Sequence, residues 1–390
     1  MDVYLVGGAV RDQLLGYPVS ERDWVVVGAT PRQMLDLGYK PVGKDFPVFL
    51  HPDTREEYAL ARTERKTAPG YTGFQFYTAA DVTLEDDLIR RDLTINAMAQ
   101  DQYGHLIDPY NGRADIAAKY LRHVSPAFAE DPVRILRVAR FTARYHHLGF
   151  RPAPETLALM QRMVAQGEAD HLVAERVWKE LDRALGERNP EAFIRVLQQC
   201  GALGAVMPEL ERLFAAAPGA GEAPGEQALR TLQQACAMGG AGAVRFAALV
   251  YLLADHHPRQ LDAITSLCRR LGVPKEPREL ALSVAARRRD CHRALALDGA
   301  ALLQLVTALD GLRRPQRYEQ FLLCCEAEAR SFPDRQQAPY PQADLLRDAL
   351  KTCLAVDAKA LAQAGLQGQQ LGAELRRRRS RALEQLIAAR

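Results

Sequence analysis

The stretch from Val3 to Gly28, VYLVGGAVRDQLLGYPVSERDWVVVG, decides how the chain is read. A short apolar run, Val3 to Val6, breaks at Gly7-Gly8, and the AVRDQLLG that follows has the composition of a helix carrying Arg11. After a turn, Glu21-Arg22-Asp23 leads directly into a second apolar run, Trp24 to Val27. Strand, double glycine, helix, and then two carboxylates at alternate positions of a strand edge make a layout that holds a polyphosphate beside a metal. Glycine lets backbone N–H groups approach phosphate oxygens closely. The start of a helix aims further donors at the same place, and Arg11 adds a planar fork of donors. Residues two apart on a strand share a side, so Glu21 and Asp23 converge on one spot. Such hard oxygen ligands suit Mg²⁺ or Mn²⁺. Alone, the two acids would read as turn residues before a strand. Gly7-Gly8 and Arg11, which a turn does not require, favour the catalytic reading.

With 390 residues the chain exceeds one ordinary core, and two to four modules are expected. Hydrophobic residues at 48% and charged residues at 25% describe a soluble globular protein. A net charge of +3 is mild, so nucleic-acid contact must come from local clusters. Cysteines 200, 236, 268, 291, 324, 325 and 353 show no C-x-x-C spacing and are odd in number, which predicts reduced thiols and neither a disulfide framework nor a zinc site. No basic-then-apolar leader opens the sequence, and no run approaches the roughly 20 apolar residues needed to span a bilayer. The expectation is a cytoplasmic protein with no membrane association and no obligate protein partner.

Beyond the opening stretch, Thr30-Pro31 starts a short helix. FPVFLH and EEYALA predict a hairpin around PDTR, while residues 62–80, RTERKTAPGYTGFQFYTAA, show no period and are expected to form a loop. Thr83 opens another helix in capping-box style, and AMAQ with HLID predicts a second hairpin around DQYG. From about residue 125 strand signals almost vanish. Alanine, leucine and arginine recur at helical spacing, broken at 186–190, 218–225, 273–277 and 331–342, with 218–225 the best candidate for a flexible connection. The fold class is therefore an α/β head followed by an all-α remainder.

A second chemical stretch runs from Asp131 to Arg144. Asp131-Pro132 is a helix start, and Asp131 by itself could be only a cap. Arg134, Arg137, Arg140 and Arg144 share one helix face, with Leu136, Ala139 and Ala143 on another. No Asp or Glu occurs between Asp131 and Glu155, so the stripe must be compensated from outside the helix, and a triphosphate or RNA backbone would serve. In Arg90-Arg91-Asp92…Asn96, a weaker signal, Arg91 could meet phosphate and Asp92 or Asn96 a ribose hydroxyl. Asp255-His256-His257 reads as a solvated helix end, and Arg376 to Arg379 with Arg381 as a solvated terminal helix with RNA contact left open.

GGAVRDQLLG (7–16), ERDWVVVG (21–28), RRDLTINA (90–97), DPYNG (108–112) and AEDPVRILRVARF (129–141), in this order and spacing, resemble the bacterial class II CCA-adding enzymes. These are tRNA nucleotidyltransferases of the nucleotidyltransferase-β (poly(A) polymerase) superfamily. The resemblance implies an α+β head, a palm-like sheet with helices, over 1–124, then an all-α neck at 125–205, body at 206–300 and tail at 301–390. It implies template-independent addition of C, C and A to the 3′ end of tRNA from CTP and ATP, with the tRNA held at its 3′ end and acceptor region. Glu21 and Asp23 would hold two Mg²⁺ ions, with Mn²⁺ as a substitute. Gly8, Arg11, Arg91, Arg137 and Arg140 would meet the phosphates, Asp92 and Asn96 the ribose, and Asp131 and Arg134 the Watson–Crick edge. Residues 62–80 would lie where the family places an element that switches C to A.

Two departures stand out. The family commonly has Asp-x-Asp where this chain has Glu21-Arg22-Asp23, and glutamate keeps the charge while adding a methylene. Longer relatives carry a His-Asp phosphohydrolase domain; VYLLADHHPR at 250–259 does not match it, so no accessory hydrolase is expected. The rival readings are a poly(A) polymerase, a partial enzyme adding only CC or only A, and a non-catalytic tRNA-binding protein.

Overall fold

The computed structural model describes residues 1–19, 21–42, 48–66, 74–77, 80–215, 222–256 and 260–390. The chain forms two compact units, Met1–Val206 and Met207–Arg390.

In the first unit, β1 (Asp2–Val6), α1 (Gly8–Leu14) and β2 (Asp23–Val27) arise from the opening stretch as its pattern predicts. Next come α2 (Pro31–Asp36), β3 (Lys40–Val42), β4 (Val48–Leu50) and β5 (Glu57–Leu60). They are followed by β6 (Thr63–Lys66), β7 (Phe74–Tyr77), α3 (Leu84–Ile89), β8 (Ala99–Gln100) and β9 (Leu106–Ile107). The main sheet has seven strands in the order β3-β4-β5-β2-β1-β8-β9. Only the β2–β5 pairing is parallel; the central β1–β2 pair is antiparallel, with Val6 opposite Asp23. Consecutive residues of β2 face opposite ways, and both faces are covered. Val25 packs with Val6, Leu84 and Leu88 under α3, while Val26 packs with Met34, Phe49 and Leu60 under α2. A strand buried on both sides explains why WVVV reads as a continuous apolar run. Thr30 and Thr83 each make the full capping box that starts α2 and α3.

Residues 62–80 differ from the expected loop. Thr63–Lys66 and Phe74–Tyr77 pair as an antiparallel two-stranded sheet, with Thr63 opposite Tyr77, while 67–73 and 78–79 lie outside the described residues. The polar run TERK has no apolar alternation to reveal it, because backbone pairing needs none.

The unit continues through α4 (Gly112–Ala118), β10 (Tyr120–Leu121), α5 (Val133–Tyr145), β11 (Arg151–Pro152), α6 (Pro154–Ala165), α7 (Ala174–Gly186), α8 (Glu191–Cys200) and α9 (Ala202–Val206). Strand β11, parallel to β10, is an exception to the all-helical reading after residue 125. α5 is the central helix of this half. Ile135, Leu136, Val138, Ala139 and Ala143 are buried, and α7 and α8 pack along it.

In the second unit every described element is helical, from Pro208–Phe214 to Gly368–Ala388. The breaks expected at 273–277 and 331–342 are present, although the helix Lys275–His292 already contains Pro277. Residues 218–221 lie outside the described residues, and a helix begins at Pro224. Asp255 lies within the short helix Leu253–His256 and is not simply solvated, because it is ion-paired with Arg288 and Arg289; His257 lies outside the described residues. No described helix is long and apolar enough to cross a membrane.

Candidate active site

Gly7 turns the chain between β1 and α1 with φ of 70°, in the left-handed region that favours glycine. A Cβ there would lie 2.8 Å from Arg91 Nη1, so glycine is also what lets Arg91 close over the turn. The Gly7 N–H donates to Met98 O at 3.1 Å, tying the turn to the segment that carries Asp92 and Asn96. Gly8 opens α1, and one turn later Arg11 points back across it, its Nη2 3.5 Å from a Cβ built on Gly8.

These groups line a cleft of about 870 Å³ within the first unit. Its walls include every residue the sequence singles out: Gly8, Arg11, Glu21, Asp23, Arg91, Asp92, Asn96, Asp131, Arg134, Arg137 and Arg140. Residues more than a hundred positions apart thus face one space.

Glu21 and Asp23 stand at the entry to β2. Surrounding protein desolvates the Asp23 carboxyl and raises its pKa; the Arg91 charge opposes the shift and the Glu21 charge adds to it. Two carboxylates that repel each other at one strand edge are a hard-oxygen donor set, and a divalent cation of the Mg²⁺ class fits them. Among the described residues no group of three or more His, Cys, Asp and Glu comes together.

The arginines correct one expectation. The α5 stripe is compensated from outside its helix, but by the protein's own carboxylates. Arg137 Nε donates to Asp92 Oδ2 at 2.7 Å, Arg140 Nε to Glu180 Oε2 at 2.6 Å, and Arg144 Nη2 to Asp12 Oδ2 at 3.1 Å. Burying a guanidinium without a partner would be costly, and Arg140 is only 7% exposed. Burial lowers the Arg140 pKa against the pull of Glu180, whereas Asp92 raises that of Arg137. The counter-charges lie outside the acid-free window, on α1, α7 and the segment after α3. A ligand phosphate entering here meets a lattice of paired charges, in which guanidinium forks still have further N–H groups.

Asp92 and Asn96 are similarly engaged. Asp92 Oδ1 accepts from Asn96 Nδ2 and from the Leu93 N–H, each at 2.9 Å. Burial would raise its pKa, but the Arg137 charge and the hydrogen bonds from Asn96 and Arg137 hold it well below the usual carboxylate range. Asn96 Oδ1 accepts from Arg11 Nη1 at 2.5 Å. Arg11 also pairs with Asp12 at 2.8 Å and lies over the Phe141 ring at 5.0 Å. Arg91 pairs with the fully buried Asp87 at 3.0 Å.

Asp131 does more than cap α5. Its Oδ1 accepts the Val133 N–H at 3.1 Å, and both oxygens are gripped by Arg176 of α7, at 3.1 and 2.8 Å. Arg134 is aimed by two carbonyls, donating to Arg90 O at 2.6 Å and Ala127 O at 3.2 Å. Asp12, Asp87, Arg176, Glu180 and Glu187 are the functional neighbours that sequence reasoning missed. Burial raises the Glu187 pKa, opposed by Arg144, Arg140 and Arg11. Along α7 and the residue that follows it, the spacing of Arg176, Glu180, Arg183 and Glu187, four-three-four, was the available signal for a charged face.

Residues 3–122 match the family model of the poly(A) polymerase head domain, and 149–214 that of the probable RNA- and SrmB-binding site of polymerase A. The multifunctional CCA protein of Teredinibacter turnerae is 57% identical over 389 residues, covering 95% of each chain. That of Thioalkalivibrio sulfidiphilus is 56% identical and covers 100% of this chain and 99% of its own. The crystal structure of the Bacillus stearothermophilus CCA-adding enzyme in complex with CTP superposes with a TM-score of 0.67 at 26% identity, over 96% of this chain and 88% of that one. With the glycine turn, the paired acids and the arginine-lined cleft gathered in one unit, and identity above one half over nearly the whole length, the chain belongs to the multifunctional CCA proteins, class II CCA-adding tRNA nucleotidyltransferases.

Proposed function

We propose that the protein adds C, C and A to the 3′ end of tRNA from CTP and ATP, without a nucleic-acid template, releasing pyrophosphate at each step. The observation that carries this is the convergence of the Glu21–Asp23 pair, the arginines and the Asp131–Arg134 pair on one cleft. Arg11, Arg91, Arg137 and Arg140 bind and orient the triphosphate. Asp92 and Asn96, locked to each other, lie near the ribose. Asp131 and Arg134 present an acceptor and donors to the base edge, so that protein takes the place of a template strand. Glu21 and Asp23 would hold two Mg²⁺ ions, which when bound would acidify the tRNA 3′-hydroxyl and stabilise the departing pyrophosphate. Positioning and charge neutralisation are the protein's main share.

The family architecture further suggests a head at 1–124, neck at 125–205, body at 206–300 and tail at 301–390, the last binding the tRNA. Acting on tRNA, the protein would work in the cytoplasm. The test is pyrophosphate release from CTP. It should require both tRNA lacking its terminal CCA and Mg²⁺, and EDTA should abolish it. CTP turnover that ignores either would contradict the reading, and no turnover under any condition would favour a non-catalytic tRNA-binding protein.

A further inference from the structure

The Asp131 carboxylate is held more firmly than a helix cap requires. The Val133 N–H fixes only Oδ1, and a single hydrogen bond leaves the carboxylate plane free to turn about the Cβ–Cγ bond. Arg176 removes that freedom. It comes from a different helix, 45 positions along the chain, and its two terminal nitrogens take the two oxygens separately, at 3.1 and 2.8 Å. A fork-on-fork pair of this kind sets direction as well as charge. Both side chains are partly withdrawn from water, at 28% and 19% exposure, and both line the cleft. Four residues further along α7, Glu180 holds Arg140. One face of α7 therefore supplies the cation that aims Asp131 and the anion that aims Arg140.

We infer that Arg176 is a positioning residue for nucleotide choice. Its bidentate grip sets the plane of the Asp131 carboxylate so that the acceptor positions still open meet the exocyclic amino group that cytosine and adenine share. Uracil and guanine present a carbonyl oxygen at the corresponding edge, which a fixed carboxylate repels. Without Arg176 the carboxylate turns, and the penalty against the carbonyl bases shrinks. The inference rests on Asp131 facing the base, and the test separates the two claims.

The experiment measures kcat/KM for CTP and for UTP separately on tRNA lacking CCA. It uses the wild type, Asp131→Ala, Arg176→Ala, Arg176→Lys and the Asp131→Ala/Arg176→Ala double variant, with tRNA affinity and thermal midpoint recorded for each. The expected result is a fall in CTP-over-UTP discrimination of about ten-fold in both single alanine variants, the size of one charge-assisted hydrogen bond. Arg176→Lys, which reaches one oxygen only, falls between Arg176→Ala and the wild type. The double variant discriminates no worse than Asp131→Ala, and tRNA affinity is unchanged throughout. If Asp131→Ala loses discrimination while Arg176→Ala keeps it, the positioning role is overturned and the base-facing reading stands. If Asp131→Ala itself keeps discrimination, the base-facing reading falls. A double variant worse than Asp131→Ala means that Arg176 acts elsewhere, which also overturns the inference. Should Arg176→Ala not fold, Arg176→Lys decides: wild-type discrimination with an unchanged thermal midpoint contradicts the need for a two-point grip.

Discussion

Each unit of the molecule contains an arginine cluster, and the two differ in what they leave open. In the first, Arg137, Arg144 and Arg176 are paired with Asp92, Asp12 and Asp131, yet their side chains keep 33%, 30% and 28% exposure along the cleft. Arg11 and Arg140, at 4% and 7%, are its buried members. In the second, Arg288 is 4% exposed, ion-paired with Asp255 and Glu328 and laid over the Tyr251 ring at 5.1 Å. His292 and Tyr340 continue that network at 2.9 and 2.8 Å. Paired charges alone therefore do not mark a site. A closed network specifies packing, whereas a paired network on the wall of an open cleft can exchange or share its donors with a ligand.

Substitutions can break or sharpen this contrast. Asp23→Ala has the largest expected effect: incorporation of CTP should fall by at least about a thousand-fold, through lost metal and charge stabilisation. A filter-binding assay should find tRNA affinity nearly intact, and full activity would remove the metal assignment. Arg288→Ala should act on the fold alone. It leaves Asp255 with Arg289 and Glu328 with His292 as their remaining partners and should destabilise by about 1–3 kcal/mol, read by denaturant unfolding, with kcat unchanged wherever the protein stays folded. Loss of catalysis in a folded Arg288→Ala protein would undo the distinction between the clusters. Arg134→Ala should relax the choice between correct and incorrect nucleotides by about ten-fold; a raised KM with unchanged selectivity would contradict its base-reading role. The smallest effect is on acid stability. The depressed pKa of Asp92 contributes stability that is fully present above the ordinary carboxyl value of 3.8 and lost as pH falls below it. Asp92→Asn should thus melt below the wild type at pH 6, with the gap starting to narrow as pH falls below 3.8; a gap independent of pH would refute the linkage.

Much of the catalytic corner was legible because its signals are local. Gly7-Gly8 and the caps at Thr30 and Thr83 each act within a few residues and appear as read, whereas β2 begins only at Asp23, so Glu21 precedes the strand and does not alternate along it. The helix period of α5 correctly put Leu136, Ala139 and Ala143 on a buried face, although Arg140 of the arginine face is buried as well. Helical periodicity names a face, however, and not what the face meets. The partners of Arg137, Arg140 and Arg144 lie 45, 40 and 132 positions away, so the acid-free window pointed toward a ligand where the protein supplies its own carboxylates. The same limit hid α7, whose charged face acquires meaning only once Asp131 and Arg140 are placed against it. Strand β6 escaped because its pairing rests on backbone groups that every residue carries.

The most direct measurement of the central claim is nucleotide-by-nucleotide extension of tRNA lacking its terminal CCA, with Mg²⁺ and labelled CTP and ATP. The account predicts two C additions, one A addition and then arrest in the wild type, with none in Asp23→Ala. A growing homopolymer of A, arrest after CC or after a single A, or extension that survives Asp23→Ala would contradict it.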